Sequence, residues 1–194
     1  MPGLIPPVAD ERDGLMAALA QQRLVLRVAA YGLTDDQARM APSASTLSVG
    51  GLLKHMAAVE RTWTAITLQR RPPGRARDYD SYFRLLPDET LDDAMADYRE
   101  AARETDDAMA GIADLGQPVP VPKGAPWFPQ DVDAWSVRWV LLHLITETAR
   151  HAGHADIVRE TVDGATAFPL MAAAEGWPAT PWMQPWTPPE PAAS

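Results

Sequence analysis

Three histidines and one glutamate lie in one short stretch of the chain: His143, Glu147, His151 and His154. On a helix that advances about 100° per residue, these four positions fall within about 80° of one another. Glu147 and His151 are one turn apart and their side chains lean the same way, so both could bind one ion. Two ligands from one helix do not close a metal site, and a third must come from another element.

His55 is the only other histidine, and the apolar pattern around it places it on the inner face of another predicted helix. An unpaired imidazole on such a face needs a partner, which makes His55 the candidate third ligand. Two histidines and one carboxylate leave coordination positions open for water or substrate, as in catalytic zinc and non-haem iron(II) sites.

The same residues also fit a plainer interpretation. Pairs of an acid and a histidine at i, i+4 arise freely on solvated helix faces. A lone histidine such as His143 is more typical of a packed or capped polar side chain. The spacing by itself therefore leaves a metal site and a solvated polar stripe equally supported.

Composition narrows the class of protein. The 194 residues suit one compact domain with a tail. Asp and Glu outnumber Lys and Arg by 26 to 17, and the resulting net charge of −9 disfavours nucleic acid as a partner. The chain has no cysteine, which excludes disulfides, cysteine ligands to zinc and a cysteine nucleophile. Thiol chemistry would require a thiol carried by a small cosubstrate.

The N-terminal segment has neither the basic nor the apolar region of a secretory signal. The longest apolar run, around residues 139–145, is interrupted by His143 and is far too short to span a bilayer. We therefore expect a cytoplasmic protein with no membrane partner.

Apolar positions at helical spacing predict four long helices. Ser48 is the expected N-cap of the second helix, Thr34 can cap a short turn before it, and Gly164 is the expected C-cap of the fourth. Connections rich in Pro, Gly or charge follow the second and third helices, and no strand is predicted. The predicted helices cover residues 9–31, 48–69, 90–112 and about 132–162, the last beginning at Val132 or Asp133.

The tail from Ala165 onward is rich in Pro and Trp. Its three tryptophans predict that part of it packs on the helices, whereas PPEPAAS, residues 188–194, is expected to be disordered. The predicted division is a helical bundle over residues 1–164 and a partly packed tail over residues 165–194.

Two segments carry a resemblance to a known family: LSVGGLLKHMAAVERTW (47–63) and VRWVLLHLITETARHAGHADIVRETVDG (137–164). They resemble the DinB-like (YfiT-like) superfamily, particularly its actinobacterial branch, over about residues 8–164. The resemblance implies an all-α four-helix bundle of DinB type with long crossover connections. It also implies a divalent metal held inside by three side chains, one on the second helix and two on the last.

Glu147 stands where many members of that superfamily have a histidine. In this respect the chain is similar to the metal-binding domain of mycothiol-dependent maleylpyruvate isomerase, whose zinc is held by His, Glu and His. The resemblance carries the ligand roles over to His55, Glu147 and His151, with Zn as the expected divalent metal and Ni or Fe as alternatives. His154 takes the place of a motif glutamine and is expected to lie behind the ligands or in the pocket.

The expected function is that of a metal-dependent enzyme, a mycothiol-dependent S-transferase or isomerase that activates a small-molecule thiol towards an electrophilic substrate. No catalytic residue is assigned, although His154 could shuttle a proton and Trp63 or Trp135 could line a pocket for the electrophile. The alternatives are a metal hydrolase and a non-catalytic metal-binding stress or interaction protein. The latter could form a homodimer through its helix faces.

Overall fold

A computed structural model of the protein describes residues 4–73, 79–124 and 126–188. This part of the chain contains six α-helices, one 3-10 helix and two short strands. The elements are α1 (Glu11–Ala29), α2 (Asp35–Arg39), α3 (Val49–Thr67), the 3-10 helix (Tyr79–Phe83), α4 (Leu91–Ala110), β1 (Pro118–Pro120), β2 (Ala134–Ser136), α5 (Val137–Asp163) and α6 (Ala167–Ala174).

The long helices α1, α3, α4 and α5 form the predicted bundle, so the all-α fold class is confirmed. Helix α1 packs mainly on α5 and α3 mainly on α4, and a smaller contact joins α3 to α5. Two apolar clusters fill the interior, one around Leu52, Met56 and Tyr98 and the other around Trp63 and Leu144. The four helices thus bury the apolar faces that their spacing predicts.

Helix ends follow the predicted capping residues. Ser48 precedes α3 and its Oγ accepts a hydrogen bond from the Gly51 amide at 3.1 Å. Thr34 forms a reciprocal capping box with Gln37 at the start of α2. Gly164 ends α5 with φ of 76°, a left-handed conformation in which glycine has no steric cost.

The predicted start of the fourth helix at Val132 or Asp133 is wrong, because α5 begins at Val137. The absence of strands is also wrong, since β1 and β2 pair in antiparallel fashion with Val119 opposite Trp135. The carbonyl of Asp133 accepts a hydrogen bond from the Val121 amide at 2.9 Å, so this segment continues the ladder. Strands of three residues, one of them with two prolines, show no alternating pattern that the sequence could reveal.

The tail returns to the bundle through α6, which packs on α1 and was not predicted. Arg159 of α5 is fully buried and donates to the carbonyls of Ala29 and Tyr31 at 2.9 and 2.7 Å. Its guanidinium lies 4.8 Å from the ring centroid of Trp186 in the tail. The disorder expected for residues 188–194 concerns a segment that, beyond residue 188, lies outside the described residues.

A buried ion pair crosses the bundle. Arg23 of α1 donates two hydrogen bonds to Glu60 of α3, at 2.7 and 2.6 Å, and a third to Asp106 of α4 at 2.7 Å. Glu60 is fully buried, so this bidentate geometry compensates its desolvation. Among the described residues, no helix is long and apolar enough to cross a membrane.

Candidate metal centre

Helices α3 and α5 bring His55, Glu147 and His151 together. Nε2 of His151 lies 3.3 Å from Oε1 of Glu147, and Nε2 of His55 lies 3.9 Å from the same oxygen. The two imidazole rings are 4.7 Å apart at an angle of 72°. One potential ligand atom from each residue lies within 4.8 Å of the other two, a convergence that no other group of His, Asp or Glu side chains achieves in the described chain.

These residues fit a divalent cation. Ligand atoms about 2.1 Å from a tetrahedral ion are separated from one another by about 3.4 Å, close to the distances between Glu147 and the two histidines. All three side chains are partly buried, so the centre is shielded yet accessible. Three protein donors leave a fourth position for a substrate atom.

Electrostatics keep the glutamate ionised. The imidazoles of His151 and His55 beside it hold the pKa of the Glu147 carboxyl well below its usual range, more strongly than partial burial raises it. A carboxylate held in this state is ready to bind a cation without first losing a proton.

His154 lies next to His151, one turn further along α5. The Nδ1 atoms of the two rings are 3.5 Å apart, so a hydrogen bond between them can fix the tautomer of His151. His154 is not among the residues that line the adjacent cavity, whereas His55 and His143 are. Its position makes it a neighbour of His151, and its role as a proton shuttle stays a prediction.

His143 lies on the same stripe of α5 but outside the candidate centre. Its ring is 4.5 Å from that of Trp63 and stacks parallel to that of Trp139 at 5.3 Å. Burial lowers the pKa of His143 and so disfavours its charged form, although the charge of Glu147 opposes this shift. Of the four residues of the predicted stripe, Glu147 and His151 therefore lie in the candidate metal centre, His154 lies beside it, and His143 lies in an aromatic environment.

A close backbone contact supports His55. A Cβ atom built on Gly51 would lie only 1.9 Å from the carbonyl oxygen of Phe83, so the end of the 3-10 helix lies directly against α3. Phe83 stacks on the imidazole of His55 with centroids 4.3 Å apart. Lys54 secures the same segment by donating to the carbonyls of Ser81 and Arg84 at 3.0 and 2.8 Å.

A cavity of about 700 Å³ extends from His55 along α3. One side of it, which we call the aromatic wall, consists of Trp63, Trp127, Phe128, Trp135, Trp139 and His143. Both Trp63 and Trp135, the tryptophans considered for a pocket from sequence, are present there. Sequence reasoning missed Trp139, which the i, i+4 series 135, 139, 143, 147 could have revealed, and Trp127, Phe128 and Phe83, for which the loop sequences give no periodic signal.

A helical bundle with a candidate three-ligand metal centre beside an aromatic cavity is the class of protein that these observations define. The family model for mycothiol S-transferases matches residues 14–164, and the chain belongs to that family. The fold is similar to the crystal structure of a conserved protein from Enterococcus faecalis, with 14% identity, a TM-score of 0.64, and coverage of 81% of this chain and 100% of that chain. That likeness supports the helical fold alone. No curated protein sequence matches the chain.

Proposed function

We propose that the protein joins mycothiol, through its sulfur atom, to an electrophilic acceptor. The reaction takes place at a divalent cation held by His55, Glu147 and His151. The observation that carries this proposal is the convergence of these three side chains, one of which, His55, lines a cavity large enough for a small molecule, in a chain of the mycothiol S-transferase family. The chain has no cysteine, so the nucleophilic sulfur arrives with the cosubstrate.

A divalent cation bound here supplies Lewis acidity, which lowers the pKa of a thiol at the open position. The chain's own residues determine how this is used. Glu147 contributes the only negative charge among three side chains, since both imidazoles bind as neutral ligands. His154 acts as a positioning residue, because its Nδ1 faces Nδ1 of His151 and leaves Nε2 of that ring directed at Glu147.

The test is conjugation of mycothiol to a bromobimane by the purified, metal-loaded protein, with the product separated by chromatography. Glu147→Gln is expected to lower the rate at least tenfold, because it removes the charged ligand. Glu160→Gln is the matched control, since it makes the same change at an exposed position of the same helix. The proposal is wrong if no conjugate forms above the background of His55→Ala with zinc, nickel and iron each supplied.

We propose zinc as the metal. Two imidazoles and one carboxylate suit zinc and also iron(II), and nickel is a further alternative. Metal analysis by mass spectrometry of untagged protein, purified without chelator, distinguishes them. We expect one zinc per chain in the parent protein and less than one tenth of that in His55→Ala.

One observation favours a second candidate, a non-catalytic protein in which the ion joins two helices. The ligands come from both α3 and α5, so a bound ion would link these helices. This candidate requires that metal stabilises the fold while mycothiol does not bind, which a calorimetric titration of the metal-loaded protein measures. A hydrolase would instead cleave an ester without added thiol.

A reduced thiol cosubstrate suits a reducing compartment, so we keep the cytoplasm as the proposed location.

A further inference from the structure

The cavity has a chemical gradient across it. Successive residues of α3 are rotated by about 100° around the helix axis. When the residues that line the cavity are ordered by this angle, they run from a polar edge to the aromatic wall. His55 lies between the two extremes. In that order the lining residues are Arg61, Lys54, Ala58, Thr62, His55, Val59 and Trp63.

The aromatic wall is organised around Trp63. The centroid of its ring lies 5.3 Å from that of Trp135, 5.5 Å from that of Trp139 and 5.9 Å from that of Phe128. Trp135, Trp139 and His143 form a ladder of nearly parallel rings, with interplanar angles of 5° and 1°. These positions recur every four residues, and the next one is Glu147. The wall therefore presents flat π-surfaces that lead along α5 towards the metal centre.

The two cations that line this cavity in the described part of the chain are already paired. Lys54 binds Glu89 at 2.5 Å, and Arg61 binds Asp97 at 2.8 Å and Glu104 at 3.0 Å. Burial lowers the pKa of His143 in the wall, which disfavours its charged form. An anionic ligand placed against the wall, away from the candidate metal centre, would lose its hydration without gaining an opposite charge from the described residues, which is costly. The electrostatics thus favour a neutral ligand.

We propose that the aromatic wall is the acceptor subsite, and that it takes a neutral, planar aromatic electrophile with its reactive carbon directed towards His55. This inference rests on the proposed thiol transfer and adds the substrate class. For an aryl chloride, a bond forms between the thiol sulfur and the ring carbon, the carbon–chlorine bond breaks, and chloride leaves. The thiol proton passes to the buffer, so one thiol and one aryl chloride give one thioether, one proton and one chloride.

A pair of acceptors tests the charge requirement. 1-Chloro-2,4-dinitrobenzene and 2-chloro-3,5-dinitrobenzoate both carry nitro groups ortho and para to the leaving chloride, and only the second carries a carboxylate. With mycothiol as the thiol, kcat/KM divided by the uncatalysed rate constant should be about tenfold higher for the neutral compound. Iodoacetamide is neutral but not aromatic, and the same ratio for it should be about tenfold lower than for 1-chloro-2,4-dinitrobenzene.

A pair of variants tests the subsite itself. Trp127 lines the cavity and is 75% exposed, so Trp127→Ala removes a wall residue with little risk to the fold. Trp182 is 80% exposed in the tail and does not line the cavity, so Trp182→Ala is the matched control. Trp127→Ala should raise KM for 1-chloro-2,4-dinitrobenzene about fivefold and leave KM for mycothiol unchanged. Trp182→Ala should change neither.

Binding of 2,4-dinitrotoluene, which has no leaving group, separates the two proposals. Its binding is followed by the quenching of tryptophan fluorescence. The affinity obtained in this way should be unchanged in His55→Ala and about fivefold weaker in Trp127→Ala. Transfer at equal relative rates to all three acceptors, or quenching that Trp127→Ala leaves unchanged, overturns the acceptor subsite while thiol transfer stands. Failure of transfer to every acceptor, bimanes included, overturns the proposed function and the acceptor role with it, even where dinitrotoluene binds.

Discussion

His143 and Glu147 occupy consecutive turns of one stripe on α5, yet their surroundings give them opposite electrostatic character. Desolvation among aromatic neighbours lowers the pKa of His143 and so disfavours its charged form. Adjacent imidazoles lower the pKa of Glu147, so its carboxylate stays charged. The two side chains are only one turn apart, which lets one helix contribute both to an apolar surface and to a candidate metal centre.

Asp156 on α5 provides a test of how burial acts on a single carboxyl group. Burial, with a further contribution from the charge of Glu160, raises the pKa of Asp156 to about 6. Its protonated form is therefore favoured in the folded state, and the stability it provides at low pH is lost as pH rises through about 6. We expect Asp156→Asn to raise Tm at pH 8, and the gain to shrink steadily as pH falls towards 4.

Thermal unfolding followed by circular dichroism across this range measures the effect. Asp131→Asn, the same change at an exposed loop position, should alter Tm little at any pH. A gain for Asp156→Asn that is constant from pH 8 to pH 4 would contradict the argument.

At the scale of elements, the register of α3 against α5 determines the site. His55 contacts His151 while Trp63, eight residues later, contacts His143, eight residues earlier. The two helices are therefore antiparallel, and the first of these contacts lies about 12 Å from the second along the helix axes. Once His55 and His151 are taken to share an ion, this second contact follows from sequence numbering alone. The four long helices, the caps at Ser48 and Gly164 and this register could be predicted, whereas the start of α5 could not.

The connections could not be predicted in the same way. Phe83 reaches His55 from a 3-10 helix, and Phe128 reaches Trp63 from the Pro-rich segment between β1 and β2. Neither segment has a periodic apolar pattern, because its contacts are made by single side chains at the end of a crossover. Helix α6 is likewise too short for its pattern to be distinguished from a loop.

Gly51 offers a prediction about how the 3-10 helix supports the site. Gly51→Ala would place a methyl group 1.9 Å from the carbonyl oxygen of Phe83, so the backbone of that segment must move. We expect lower Tm and weaker zinc binding, because the ring stacked on His55 moves with it. Gly153→Ala is the matched control in α5, where a Cβ meets nothing within 4 Å and helix propensity favours alanine by about 0.5–1 kcal/mol.

Zinc titration and thermal unfolding of both variants decide the matter. Gly153→Ala should be at least as stable as the parent, with unchanged zinc affinity. If Gly51→Ala behaves in the same way, the close contact with Phe83 has no part in positioning His55.

At the scale of the whole molecule, polar ties join helices that the apolar core already packs. Arg23 connects α1 with α3 and α4 through Glu60 and Asp106. Arg159 connects α5 with the end of α1 and with Trp186 in the tail. The pair α3 and α5 packs less extensively than α1 with α5 or α3 with α4, and the candidate ligands lie across it. A bound ion would therefore stabilise the α3–α5 pair, which packs least extensively of the three.

Removal of metal should reveal this coupling. Because a ligand that binds only the folded state stabilises it, free zinc at one hundred times its Kd contributes about 2.7 kcal/mol. For a domain of this size, that corresponds to a rise of about 5–10 °C in Tm over the chelated protein. The rise should vanish in Glu147→Gln, which lacks the charged ligand, and persist in Glu160→Gln. Equal Tm values for the parent protein with zinc and with chelator would show that the ion does not join α3 to α5.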